Sequence, residues 1–78
     1  MKQIIVYGSG CSTCKKLKNL IENIVEQNKF DAKVKYSQDM AEIAKKRIMS
    51  MPAIEIDGEI KVSGRVPTRE EIVKWLEN

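Results

Sequence analysis

The chain opens with a short apolar run that is followed by two glycines and a helical pattern. Residues 4–6 read Ile-Ile-Val before Gly8 and Gly10, and such a run indicates a central strand that is covered on both faces. From Ser12 onward, apolar residues recur every three or four positions, which predicts an amphipathic helix that ends near Asn28. These positions are Cys14, Leu17, Leu20, Ile21, Ile24 and Val25.

The middle of the chain predicts a second strand and a second helix. Ala32, Val34 and Tyr36 alternate with lysines, which is typical of an edge strand with one face in solvent. Asp39, with Glu42 three residues later, resembles the capping box that begins a helix. The apolar face of that short helix is predicted to consist of Met40, Ile43, Ala44 and Ile48.

The last part of the chain predicts a β-hairpin and a final helix. Asp57-Gly58 separates two alternating runs, which is a strong hairpin signal, and Thr68 with Glu71 forms a second capping-box pattern. The predicted order is β-α-β-α-β-β-α, with a parallel pair joined by a right-handed crossover and an antiparallel hairpin at the other edge. The predicted fold class is α/β, a four-stranded mixed sheet with helices on both faces, in one domain spanning residues 1–78.

Composition and charge narrow the function classes. The 78 residues carry 14 basic and 11 acidic side chains, mixed along the chain, for a net charge of +3, so nucleic-acid binding is not indicated. No segment approaches the roughly 20 apolar residues of a membrane span, and the N-terminal run is too short for a secretory signal. We therefore expect a cytoplasmic monomer that binds neither nucleic acid nor membrane.

Both cysteines of the chain, Cys11 and Cys14, stand where the first strand gives way to the first helix. A reducing cytosol disfavours a structural disulfide between them, and a bridge across so short a loop would add little stability. At a helix start the dipole and nearby Lys15 and Lys16 favour the thiolate of Cys11. Cys14 is predicted to be buried with Leu17, which makes Cys11 the nucleophile and Cys14 the resolving thiol.

Several neighbouring residues each allow two interpretations. Gly8 and Gly10 either serve a turn or let a partner's backbone approach without meeting a Cβ. Met49 and Met51 either fill the core or present a soft apolar surface beside the thiols. Arg65, with the lysines, either forms a cationic rim around the site or belongs to a solvated face.

Four motifs together resemble a known family. They are Y-G-x-G-C-x-x-C at residues 7–14, M-P-A at 51–53, D-G-E at 57–59 and S-G-R-V-P-T-R-E-E-I at 63–72. The whole chain is similar to the small thioredoxin/glutaredoxin-like proteins of archaea and bacteria, the redox-active disulfide proteins, which have the thioredoxin fold in its minimal form.

The resemblance implies a thiol–disulfide oxidoreductase that exchanges electrons with protein disulfides and uses no cofactor. It implies that Cys11 attacks, that Cys14 resolves, and that Pro52 is a cis-proline facing the disulfide. The backbone of Met51 would pair with an extended substrate segment. The remaining substrate-binding residues would be Gly10, Ser12, Thr13 and Gly64, and an unidentified reductase would restore the dithiol.

The sequence also departs from better-known relatives. Thioredoxins have a tryptophan before the first cysteine and a Gly-Pro pair inside the motif, where this chain has Gly10 and Ser12-Thr13. The first strand carries no acidic residue to assist proton transfer from Cys14. The lysine that glutaredoxins use for glutathione is replaced by Ser9, so the identity of the electron donor is left open.

Soft-metal binding by the same two cysteines is the alternative function. Heavy-metal-associated domains also place C-x-x-C at the start of a first helix and pass copper or zinc between proteins. Their order is β-α-β-β-α-β, with a methionine two places before the first cysteine, where this chain has Ser9. A closed zinc site needs four ligands, and this chain offers two cysteines and no histidine. A binding module with inert thiols is a third interpretation.

Overall fold

A computed structural model of the protein describes residues 2–8, 10 and 12–77. The elements follow the predicted order β-α-β-α-β-β-α. Their bounds are β1 Lys2–Tyr7, α1 Ser12–Gln27, β2 Ala32–Ser37, α2 Met40–Lys45, β3 Ala53–Ile56, β4 Glu59–Ser63 and α3 Arg69–Glu77.

The four strands form one mixed sheet in the order β2-β1-β3-β4. β1 pairs with β2 in parallel and with β3 in antiparallel orientation, and β3 and β4 form an antiparallel hairpin. The hairpin turn has positive φ at Asp57 and Gly58, as a type I′ turn requires. The predicted central strand, edge strand and hairpin are therefore confirmed.

Helices cover both faces of the sheet. α1 and α3 pack on one face, where the larger core lies, and α2 packs on the other against Tyr7 and Ala53. The larger core contains Ile4, Val6, Leu17, Ile21, Ile24, Ile54, Ile56, Val62, Ile72 and Leu76. Because side chains alternate across a strand, β1 sends Ile4 and Val6 to one face and Tyr7 to the other. None of the helices in the described ranges is long and apolar enough to cross a membrane.

α2 differs from its predicted pattern. The helix has only six residues, and within it Ile43 is buried whereas Met40 and Ala44 are exposed. Its beginning is as predicted, because Asp39 Oδ1 accepts hydrogen bonds from the backbone N–H groups of Ala41 and Glu42, at 3.0 and 3.3 Å. A helix of six residues makes fewer than two turns, and in α2 only Ile43 points into the core. The prediction of a wider apolar face for this helix was therefore wrong.

α3 begins with a complete capping box. The Glu71 N–H donates to Thr68 Oγ1 at 3.2 Å, and the Thr68 N–H donates to Glu71 Oε1 at 3.1 Å. The Arg65 guanidinium adds two hydrogen bonds to the same carboxylate, at 2.9 and 2.8 Å. Arg65 thus anchors the start of α3.

Replacing Glu71 with Gln is expected to remove a pH-dependent contribution to stability. The hydrogen bond from Arg65, and then that from the Thr68 N–H, lower the pKa of Glu71 from 4.5 to about 2. Because the folded-state pKa lies below the unfolded value, this stabilisation is present above pH 4.5 and is lost as the pH falls toward 2. The gap in Tm between parent and Glu71→Gln should therefore be widest at neutral pH and close across that window.

The contact is partly exposed, so we expect the gap to reach only a few degrees. Glu70→Gln is the matched control, since Glu70 is an exposed carboxylate in the same first turn. A gap for Glu71→Gln that does not change between neutral pH and pH 3 would contradict the assignment.

Candidate active site

Cys14 lies on the first turn of α1, where that helix begins beyond the end of β1. Its side chain is fully buried, with no exposed surface, as the helical pattern predicts. A Cβ placed on Gly8 would lie 2.6 Å from Cys14 Sγ and 2.7 Å from Cys14 Cβ. Gly8 therefore makes room for the buried thiol.

Gly10 has a different role from Gly8. Its φ of +85° lies in the left-handed region that glycine adopts without strain. Its backbone N–H donates a hydrogen bond to Tyr36 Oη at 2.9 Å, which connects the loop before α1 to the end of β2. Gly10 therefore fits the interpretation as a turn residue. At Gly8 the missing Cβ allows a close approach, and the approaching side chains belong to the same chain rather than to a partner.

The Met51–Pro52 segment enters β3 at the same end of the sheet. The peptide bond between the two residues is cis, and Pro52 is buried. Since Tyr7 pairs with Ala53, the register places Pro52 beside Gly8. The Pro52 carbonyl accepts a hydrogen bond from the Gly64 N–H at 3.0 Å, so the structure brings together these two residues of the predicted substrate-binding set.

The other predicted substrate-binding residues lie at the edges of this region. Ser12 and Thr13 are exposed at the start of α1, and Met51 is half-buried against the smaller core. Met49 is 92% exposed, so the core-filling interpretation of this residue was wrong. The prediction for Cys11, like that for Ser9, falls outside the described residues.

A buried polar cluster lies on the opposite face of the sheet, under α2. Glu55 is only 5% exposed, although it alternates with apolar residues along β3. Its carboxylate accepts a hydrogen bond and ion pair from Lys46 Nζ and a hydrogen bond from Tyr7 Oη at 3.4 Å. Burial raises the pKa of Tyr7, and the hydrogen bond to Glu55 raises the pKa of Lys46.

Exposed lysines lie on the first turns of α1, whereas Arg65 is engaged elsewhere. Lys15 and Lys16 are exposed on the first turns of the helix. A shallow groove next to them is lined by Lys15, Lys18, Asn19, Tyr36 and Gln38. Lys15 and Lys16 are therefore free of the core and can contribute to a cationic rim around the site. The Arg65 guanidinium instead binds Glu71.

The sequence placed Tyr36 on the edge strand β2 but did not predict its contact with the loop before α1. One signal could have found it. β1 and β2 were predicted to be parallel, so their carboxyl ends lie at the same edge of the sheet, and Tyr36 is near the end of β2. A tyrosine at that position is within reach of whatever follows β1.

The sheet order, the helices on both faces and the Cys14-bearing helix that follows the central strand define a small α/β protein of the thioredoxin-like fold. The comparisons agree. A family model described as a thioredoxin domain matches residues 2–77. The chain therefore belongs to the thioredoxin family, a family of thiol–disulfide oxidoreductases.

Two archaeal relatives illustrate the similarity. The chain is 34% identical over 76 residues to a thioredoxin of Methanothermobacter thermautotrophicus, an alignment that covers 97% of this chain and 99% of the relative. It is 30% identical over 78 residues to a thioredoxin of Methanocaldococcus jannaschii, covering 100% of this chain and 90% of the relative. The resemblance drawn from the sequence motifs is thereby confirmed.

The alternative of a soft-metal carrier finds no support in these comparisons. Within residues 2–8, 10 and 12–77, no three His, Cys, Asp or Glu side chains are grouped so that they could hold a metal ion.

Proposed function

We propose that this chain is a dithiol oxidoreductase that reduces or forms protein disulfides through Cys11 and Cys14. Cys11 attacks a substrate disulfide to give a mixed disulfide, and Cys14 then displaces the reduced substrate, which leaves Cys11 bonded to Cys14. Electrons enter and leave through the two sulfur atoms, so the exchange requires no bound cofactor. A separate reductase restores the dithiol.

The burial of Cys14 carries this proposal. A thiol with no exposed surface cannot meet a disulfide on another protein, so the first attack falls to the other cysteine of the motif. The Cys14 sulfur reacts only with a disulfide presented from inside the site. The order of attack then follows from accessibility together with the preference of a helix start for a thiolate.

We propose that the substrate lies across the edge formed by the loop before α1 and the segment before β3. Pro52 lies beside Gly8 and is hydrogen bonded to Gly64, whereas Gly10, Ser12, Thr13 and Met51 reach the surface around it. The exposed Met49 extends this edge with a soft apolar side chain.

We further propose that the chain acts as a monomeric single domain in the cytoplasm. The family model spans nearly the whole chain, which favours one domain over residues 1–78, and a reducing compartment keeps a dithiol ready for exchange. Size-exclusion chromatography with light scattering measures the oligomeric state directly.

A redox titration tests the proposed function. The metal-free protein is equilibrated in glutathione or dithiothreitol buffers, alkylated and weighed intact, after the metal content of the fresh preparation has been measured. We expect a reversible two-electron transition between about −180 and −270 mV, the range of known dithiol oxidoreductases, with Cys11 alkylated first. Stoichiometric copper or zinc together with no stable Cys11–Cys14 disulfide would instead establish a metal carrier.

A further inference from the structure

We propose that Tyr36 is a positioning residue of the disulfide exchange, whose hydroxyl donates a hydrogen bond to the Cys14 thiolate in the resolving step. This inference rests on the proposed function, in which Cys14 attacks the mixed disulfide. Tyr36 lies on β2, 22 residues beyond Cys14 in the sequence, and reaches the thiol only through the fold.

The first observation is the hydrogen bond that orients the phenol. Tyr36 Oη accepts from the Gly10 N–H at 2.9 Å. A phenol oxygen has lone pairs to accept with and a single proton to donate. Because the Gly10 N–H occupies an acceptor position, the hydroxyl proton of Tyr36 is left to point to another group.

The second observation is the space at Gly8. A Cβ at that position would lie 2.6 Å from Cys14 Sγ and 2.7 Å from Tyr36 Oη. Cys14 Sγ and Tyr36 Oη both lie within 2.7 Å of that added Cβ, so the distance between the sulfur and the phenol oxygen is less than twice 2.7 Å. Both groups therefore border the space that Gly8 leaves open, and in our proposal a shift of either side chain brings the hydroxyl proton to the sulfur.

The third observation is burial. The Cys14 side chain has no exposed surface, so bulk water does not surround its thiolate, and a buried charge is stabilised by each hydrogen-bond donor close to it. Tyr36 is only partly buried and belongs to the edge strand of the sheet. Its hydroxyl is thus a neutral donor, held by the Gly10 peptide, next to a sulfur that must become negative in order to react.

In the step concerned, the Cys14 thiol first loses its proton to water. The thiolate sulfur then forms a bond to the Cys11 sulfur, and the bond between Cys11 and the substrate sulfur breaks. The substrate sulfur leaves with the electron pair and takes a proton from water. The dithiol is oxidised by two electrons and the substrate disulfide is reduced by two, while Tyr36 keeps its proton throughout.

The test compares Tyr36→Phe with Tyr7→Phe in a reaction that reports the two steps separately. Tyr7→Phe removes a buried hydroxyl from the opposite face, where Glu55 keeps its contact with Lys46. The probe is the chromogenic disulfide dithiobis-nitrobenzoate. It releases one coloured thiolate when Cys11 attacks and a second when Cys14 resolves the mixed disulfide.

We expect Tyr36→Phe to slow the second release by about fivefold to tenfold, because the hydrogen bond raises the thiolate fraction of Cys14 but lowers its nucleophilicity by part of the same factor. The first release should stay within about threefold of the parent, since Phe keeps the ring packing and loses one neutral hydrogen bond to Gly10. Tyr7→Phe should leave both releases unchanged. This split between the steps is a readout that a purely structural role of Tyr36 would not produce.

Equal slowing of both releases would mean that the hydroxyl acts only through the loop before α1 and would overturn the inference. Parent-like rates of both releases in Tyr36→Phe would overturn it as well. Failure of the proposed function looks different, because the parent protein would then form no stable Cys11–Cys14 disulfide in the redox titration.

Discussion

Replacing Cys14 with Ser is expected to stop the reaction at the mixed disulfide. Cys11 can still attack, but a serine hydroxyl does not displace a thiolate from a disulfide, since the thiolate is the nucleophile in this exchange. We expect turnover to fall at least about a thousandfold, as when other enzymes lose a nucleophile. With a peptide that carries one disulfide as substrate, intact mass spectrometry should find one peptide joined to the protein by a mixed disulfide.

The companion variant Cys11→Ser separates the two sulfur atoms. It should also lose turnover, but it should form no adduct, because the remaining Cys14 thiol is fully buried and cannot reach the peptide. The two variants thus share a loss of activity and differ in mass. An adduct that accumulates on Cys11→Ser, or parent-like turnover of Cys14→Ser, would contradict the assigned order of attack.

The elements of the fold could be predicted because their signals are local. The run at residues 4–6, the lysines that alternate along β2, and Asp57-Gly58 each report the environment of their own strand. The burial of Cys14 could be predicted for the same reason, since it shares a helical face with Leu17 and Ile21. The order of the elements and the inward position of one thiol therefore followed from local sequence signals.

The surroundings of Cys14 could not be predicted because they depend on register. Whether Tyr36 meets Gly10 is decided by the pairing of Val6 with Tyr36, and a shift by one residue would turn the phenol to the other face. Periodicity along one strand carries no information about its neighbour. The place of Tyr36 near the end of β2 indicates which loop it can reach, but the contact itself was visible only in the structure.

Glu55 shows the same limit in another way. Its strand alternates as if one face were in solvent, yet all four residues of β3 are buried. The second face is covered by the α2 region, which supplies Lys46 as the ion-pair partner of the carboxylate. Alternation predicts which residues share a face, but it does not show whether a polar face is covered by a partner of opposite charge.

Replacing Gly8 with Ala is expected to disturb the site on both sides of the added methyl group. The added Cβ would lie 2.6 Å from Cys14 Sγ, 2.7 Å from Cys14 Cβ and 2.7 Å from Tyr36 Oη. Rotation of the Cys14 side chain moves only its sulfur, so the first turn of α1 or the end of β2 must shift. Such overpacking costs about 1–3 kcal/mol, which for a domain of this size lowers Tm by roughly 10 °C.

The exchange reaction should also become slower than the loss of stability alone explains, because the same methyl group separates the Tyr36 hydroxyl from the thiol that must resolve the mixed disulfide.

Gly58→Ala is the control. Its Cβ would meet nothing within 4 Å, but its φ of +86° strains any other residue, at a cost of about 1–2 kcal/mol. Both variants should therefore unfold at lower temperature, whereas only Gly8→Ala should slow the second release of thiolate from dithiobis-nitrobenzoate. If Gly8→Ala keeps the parent's Tm and both of its rates, Cys14 and Tyr36 cannot be packed against that glycine.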